Sequence, residues 1–192
     1  MSFEQITEPA EDVVGLEIMK NHLRVFHNAD DEYIKLLIDA CVEIIETKTK
    51  HIFIKRDFKA YFDNFGIDGE LVLPLTPIKA VSDISYNYYG VMTSLDSGGY
   101  QMDLKRGQGR IRNAYMQDWP SVQRGYNGVE VTFTAGYDTA EKIPKKMLAA
   151  LNFLVGHFYT NREPVLNGIS VLSSKIPLTF EYVLGTFKYM SI

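Results

Sequence analysis

Residues 129–137 read Val129-Glu130-Val131-Thr132-Phe133-Thr134-Ala135-Gly136-Tyr137. Val129, Val131 and Phe133 alternate with Glu130, Thr132 and Thr134, and Gly136 stops the run. A period of two predicts a half-buried strand, because successive side chains leave a pleated backbone on opposite faces. Upstream the same texture reaches back to Ile52. Asp57 to Phe62 alternates in the same way, and Leu71-Val72-Leu73 is a short strand ended by Pro74. Ala80 to Tyr89 predicts another strand turning at Gly90. Gly98-Gly99 breaks the chain before Tyr100, and Gly107 and Gly109 suggest a hairpin turn. Short strands at this spacing indicate an antiparallel sheet or small sandwich, not a βαβ fold.

On both sides of this stretch the period changes to that of a helix. Leu16, Met19 and Leu23 predict a short helix ending near Val25. Asp30 or Asp31 suits the N-cap of the next, with Ile34, Leu37, Ile38, Cys41 and Ile45 tracing one face to about Lys50. Downstream, Pro144 suits a first helical turn, and Met147, Leu148, Leu151, Leu154, Val155 and Phe158 continue it. A final helix from Leu178 to about Met190 competes with a strand, because Thr179, Phe180, Tyr182 and Val183 suit either. The first dozen residues are polar and read as an extended arm. The expectation is an α+β fold, a helical frame around an inserted antiparallel β-rich middle. It forms one domain over residues 1–192: arm and helices over 1–51, β-rich insertion over 52–137, C-terminal helices and tail over 138–192.

Composition narrows the function. The 192 residues are 46% hydrophobic and 23% charged, an ordinary globular balance that allows a sizeable core. A net charge of −4 argues against a dedicated nucleic-acid binder. The single Cys41 rules out an internal disulfide and a cysteine-only metal site. The N-terminus lacks the pattern of a secretory signal, and no apolar run is long enough for a bilayer. The expectation is a soluble protein made in the cytoplasm.

Motifs for catalysis are absent: no P-loop, nucleophile elbow, HExxH or dinucleotide fingerprint. No two of His22, His27, His51 and His157 stand at i, i+3 or i+4, so no helix face offers a histidine pair. His157 reads as a helix residue beside Phe158-Tyr159, and Cys41 as a small buried hydrophobe. Helix capping explains Asp30-Asp31-Glu32 more simply than a metal does. No catalytic residue, cofactor or metal is expected. Two basic clusters remain as contact candidates for protein or DNA. Lys105, Arg106, Arg110 and Arg112 surround the glycine turn, where a hairpin would carry them at its tip. Lys142, Lys145 and Lys146 lie around a helix N-terminus, the end where the dipole disfavours cations, and an acidic partner would suit them.

Stretches in a fixed order then resemble a known family. They are Leu16 to Val25; Asp30-Asp31-Glu32-Tyr33-Ile34 leading into the long helix; Leu73-Pro74-Leu75-Thr76-Pro77-Ile78 with the Val81 to Tyr86 strand; Val131 to Tyr137 with Pro144; and His157 to Glu163. Together, from about residue 16 to 163, they resemble the head–tail connector (adaptor) proteins of tailed bacteriophages, in the larger type with a β-rich insertion. The segment after Pro164 departs from the family's usual C-terminus.

The resemblance implies a structural virion protein at the head–tail junction, not an enzyme. Its partners would be copies of itself in a ring, commonly a dodecamer, together with the portal protein above and a head-completion or tail protein below. DNA would pass through the channel without sequence recognition, and no membrane is involved. The basic hairpin and the acidic early helix are one pair of patches that such a ring could use. A tail-completion or stopper protein is the alternative within the virion. A small carbohydrate-binding or hydrolytic module, drawing on Tyr86-Asn87-Tyr88-Tyr89, is the alternative outside it.

Overall fold

A computed structural model describes residues 1–66, 68–105, 108–122, 125–162 and Gly185. The fold is α+β. Backbone contacts divide it into two compact units, residues 1–11 with 54–138 and residues 12–53 with 139–192. The predicted final helix over 178–190 lies outside the described residues except for Gly185, and Arg106 lies outside them too.

The second unit is helical. Its elements are α1 (Leu16–Leu23), α2 (Asp31–Thr49) and α3 (Lys145–Thr160). Left-handed residues end the first two, Arg24 at φ 57° and Lys50 at φ 58°. Met19 from α1, Ile34, Ile38, Cys41 and Ile45 from α2, and Met147, Leu151, Leu154 and Val155 from α3 make its buried core. These are the positions the helical period selects. In the turn after α2, the Phe53 N–H donates to Glu46 Oε1 at 2.9 Å, and the His51 N–H to Thr49 Oγ1 at 3.1 Å. Lys20 is also buried, with Nζ 2.8 Å from Asp31 Oδ1 and 2.8 Å from Asn28 Oδ1. A buried ammonium persists only with such partners.

The first unit holds two antiparallel sheets. The larger has strands β1 (Ser2–Gln5), β2 (Arg56–Phe62), β4 (Ile78–Tyr88), β5 (Val91–Ser94) and β8 (Val129–Ala135) in the order β1-β2-β8-β4-β5. The smaller has β3 (Glu70–Val72), β6 (Tyr100–Asp103) and β7 (Arg110–Asn113) in the order β3-β7-β6. The alternation of 129–135 is realised at every position: Val129, Val131, Phe133 and Ala135 are buried and the residues between them are half-buried. β8 lies between β2 and β4, pairing Phe58 with Phe133 and Ile84 with Val131. The Phe58 and Phe133 rings stack at 5.9 Å. The glycine after β8 is required by close approach. Gly136 has φ 114°, and a Cβ there would meet the backbone of Ile54 and Lys55 at 2.7 Å.

The N-terminal arm is extended as expected, but it is also paired. β1 adds to the free side of β2 with Phe3 opposite Ala60, and the Ile6 N–H donates to Asp57 O at 2.8 Å. A polar edge strand carries little hydrophobic signal, so its pairing is not readable locally. At the other edge, β4 and β5 form a hairpin through Tyr89-Gly90, with positive φ at both residues (49° and 87°), the geometry of a tight two-residue turn.

Removing the ring of Phe133 leaves a cavity in the centre of this sheet. Phe133→Ala should therefore lose about 3–5 kcal/mol of unfolding free energy. Urea denaturation followed by circular dichroism measures it, and a loss below 1 kcal/mol would contradict a central position for β8.

Candidate interaction surfaces

The basic hairpin differs from its expected form. Arg110 and Arg112 lie within β7, opposite Asp103 and Gln101 of β6, and so stand along the strand. Arg110 Nη2 is 2.8 Å from Asp103 Oδ2, and Nη1 is 3.5 Å from Glu70 Oε1. Arg112 also pairs with Glu70, across the β3–β7 ladder. Hydrogen bonding to Asp103 raises the Arg110 pKa further above its ordinary value. Two arginines and two carboxylates thus form a locally neutral network around a shallow depression. Lys105 is exposed beyond it, so the predicted basic tip loses Arg110 and Arg112 to ion pairs. Sequence distance explains the miss, since Glu70 is 42 residues from Arg112.

The second cluster lies around the start of α3. Lys142 ends a short 3-10 turn (Ala140–Lys142), and Lys145 and Lys146 open α3; all three are exposed. Acidic residues are missing from that first turn, so the helix dipole is uncompensated there.

Sequence reasoning overlooked a clasp at the other end of α3. The Tyr159 hydroxyl donates to Asp30 Oδ2 at 2.6 Å, and Arg162 Nη2 donates to the same oxygen at 3.0 Å. The Arg162 guanidinium lies 4.7 Å from the Tyr33 ring centre and 5.0 Å from that of Tyr159. Asp30 does occupy the N-cap position of α2, but its side chain makes no capping bond. The carboxylate instead ties the start of α2 to the end of α3. The Tyr159 hydrogen bond, followed by Arg162, holds the Asp30 carboxyl below its usual range, and the same bond raises the Tyr159 phenol. Only the pairing of Asp30 with residues 129 and 132 positions away creates this group, which no local motif announces.

A third feature joins residues noticed singly. Trp119 stacks on Phe65 at 4.2 Å, Phe65 meets Tyr86 at 6.2 Å, Tyr86 meets Tyr88 at 6.4 Å, and Tyr88 meets Tyr89 at 4.7 Å. The chain of rings runs from buried Phe65 to Tyr89, which is 84% exposed at the β4–β5 turn. Residues 84–95 contain no charged side chain. Large exposed aromatics without charge are the composition of protein–protein contacts. The outer rings stand at 71° and 83° to each other, so they share no flat platform for a sugar.

The remaining reactive groups have structural surroundings. Cys41 is fully buried, and burial pushes its thiol up to about 12. His51 is buried and its pKa lowered by desolvation. His157 is half-buried on α3 beside Asn161. Among the described residues no group of three or more His, Cys, Asp or Glu is placed to hold a metal.

Residues 14–105 match the family model of phage gp6-like head–tail connector proteins. The resemblance read from the sequence is thereby borne out. The matched span contains the first three quoted stretches, while Val131 to Tyr137 and His157 to Glu163 lie beyond it. No curated protein matches the chain. Solved structures do. A chain from the neck of an empty gene transfer agent particle, computed with C6 symmetry, aligns with TM-score 0.81 at 20% identity, covering 100% of this chain and 97% of that one. A chain from the virion of the native particle gives 0.82 at 19% identity, and one from the native neck computed with C12 symmetry gives 0.79 at 18%, with the same coverages. At these identities the likeness is one of fold.

Two outcomes follow from this chemistry. In Tyr159→Phe, the Asp30 carboxyl should titrate at a higher pH than in the wild type, nearer the ordinary value of about 3.9. Carbon-detected NMR of the aspartate side chains reads the shift, and an unmoved midpoint would deny the hydroxyl its role. By the same sign, the clasp adds stability above the ordinary carboxylate pKa and loses it as pH falls through the lowered one. Cys41 should resist a thiol reagent at pH 7.5 in the folded protein and react at once in denaturant, because the thiolate is the reacting form.

Proposed function

We propose that this chain, whose residues 14–105 match the phage head–tail connector family, is a structural subunit of a connector ring at the junction of head and tail. The ring binds beneath the portal, extends the DNA channel and docks the next head-completion or tail protein. The observation that carries this reading is the coincidence of two independent likenesses. The family match covers the early helices and most of the strands, and the fold of the whole chain is that of proteins in particle necks computed with sixfold and twelvefold symmetry.

The surfaces support assembly over catalysis. A closed ring needs two different complementary patches on each subunit, since its contacts are heterologous. The uncharged aromatic hairpin is one surface of the required kind. Lys142, Lys145 and Lys146 offer a second, cationic one, suited to an acidic patch on a neighbouring protein. Lys105 and Arg106, between β6 and β7 in the sequence, remain contact candidates. Arg110 and Arg112 already hold carboxylates, which leaves less of their charge for phosphate. A channel that passes DNA without gripping it needs few free cations on its wall.

Co-expression with the portal protein of the same phage, followed by electron microscopy, tests the reading. A ring of this chain seated on the portal is the expected result. Cross-links to tail proteins alone, with no portal contact, would replace it with a tail-completion role. Persistent failure to form any ring or portal complex would overturn it.

A further inference from the structure

Among the described residues the five-stranded sheet ends at β1 on one side and β5 on the other, and both strands turn main-chain groups outward. In the β4–β5 hairpin, Tyr88 pairs with Val91 across the two-residue turn, and the Leu95 N–H donates to Ile84 O at 2.7 Å. In between, the Asn87 N–H donates the other way, to Gly128 O at 2.8 Å. The alternation of an antiparallel ladder therefore aims the N–H and C=O of Met92 and Ser94 outward, away from β4. At the opposite edge, the Ile6 N–H bonds Asp57 O, which turns the main-chain groups of Gln5 away from β2.

Both edge strands are four residues long and exposed throughout. Isolated proteins protect such edges with lysine, proline, inward charges or a covering element. Val91-Met92-Thr93-Ser94 carries none of the residue devices, and the one charge of β1, Glu4, is engaged by the Tyr61 hydroxyl. Neither edge brings an unpartnered charge to the other. Apolar surface flanks both: Val91 is 66% exposed on one, Ile6 49% on the other.

We propose that these edges join copies of the chain, the β5 edge of one protomer taking up β1 of the next, so that the sheet continues from subunit to subunit. The inference rests on the ring reading and names the surfaces that close it. Strand direction fits. Each neighbour in β1-β2-β8-β4-β5 is antiparallel, so β1 and β5 run the same way and meet as a parallel pair in a head-to-tail repeat. A two-fold dimer would instead set β5 against β5 and leave every β1 edge open. The head-to-tail arrangement uses both edges in every copy with a single kind of contact, as a cyclic ring requires.

The test uses the full-length protein on its portal. Met92→Pro removes an outward N–H and spares the hairpin, because proline is tolerated on an edge where the N–H faces solvent. Gln5→Pro does the same at the other edge and keeps the test decisive where one variant fails to fold. Each folded variant, checked by circular dichroism, should lose the rings that the wild type forms, and undiminished rings in either would overturn the proposal. In parallel, Ser2→Cys with Met92→Cys, which place both thiols on one face of the continued sheet, should give a covalent ladder beyond the dimer with a short bismaleimide. The buried Cys41 does not compete. A dimer from Met92→Cys alone would mean two-fold β5 pairing and sink the head-to-tail arrangement. Wild-type rings without the ladder and with proline-tolerant assembly would leave the ring reading standing and remove the edge pairing. A wild type that never oligomerises removes both.

Discussion

The β unit depends on one constraint: the last strand to be made, β8, must sit between two made much earlier. Val129, Val131, Phe133 and Ala135 are all buried, and β8 supplies the ladder partners of both β2 and β4. Neither of those strands can satisfy its inner edge without it. β1 and β5 in turn add to the outer edges of β2 and β4, so the whole five-stranded sheet follows from the placement of β8. The packed glycine at 136 belongs to the same constraint, because the chain leaves β8 against the backbone of residues 54 and 55.

Much of this was legible from the sequence, for a physical reason. A strand or helix announces itself by a period, and periods are local. The alternation at 129–135 and the helical faces at 34–45 and 147–155 could be read because each buries one side of one element. What could not be read depended on partners far along the chain. Asp30 looked like a helix cap and holds a cap position, yet its carboxylate is taken by Tyr159 and Arg162. Arg110 and Arg112 looked like free cations because Glu70, their partner across the ladder, lies in a different strand. The polar arm gave no sign of pairing, since an exposed edge strand has no apolar face to reveal it.

The family likeness and the physical reading fit together. The matched region, residues 14–105, takes in α1, α2 and the strands through β6, so it crosses both compact units. Among the described residues the chain displays edge strands with outward main-chain groups, an uncharged aromatic hairpin, and lysines at the N-terminal end of a helix dipole. The reactive groups show the opposite pattern. Cys41 and His51 are both buried, which suits packing and leaves them poorly placed to meet a substrate.

The late position of β8 also sets a timetable for synthesis. β2 ends at Phe62, and β8 begins at Val129, 67 residues later. At about 5–20 residues per second, a ribosome leaves the inner edge of β2 open for roughly 3–13 s before its partner exists, and that of β4, which ends at Tyr88, for roughly 2–8 s. During that interval the nascent chain presents sticky strand edges to its neighbours on the same message. Each nascent chain must therefore pass through a vulnerable stage before its five-stranded sheet can be completed.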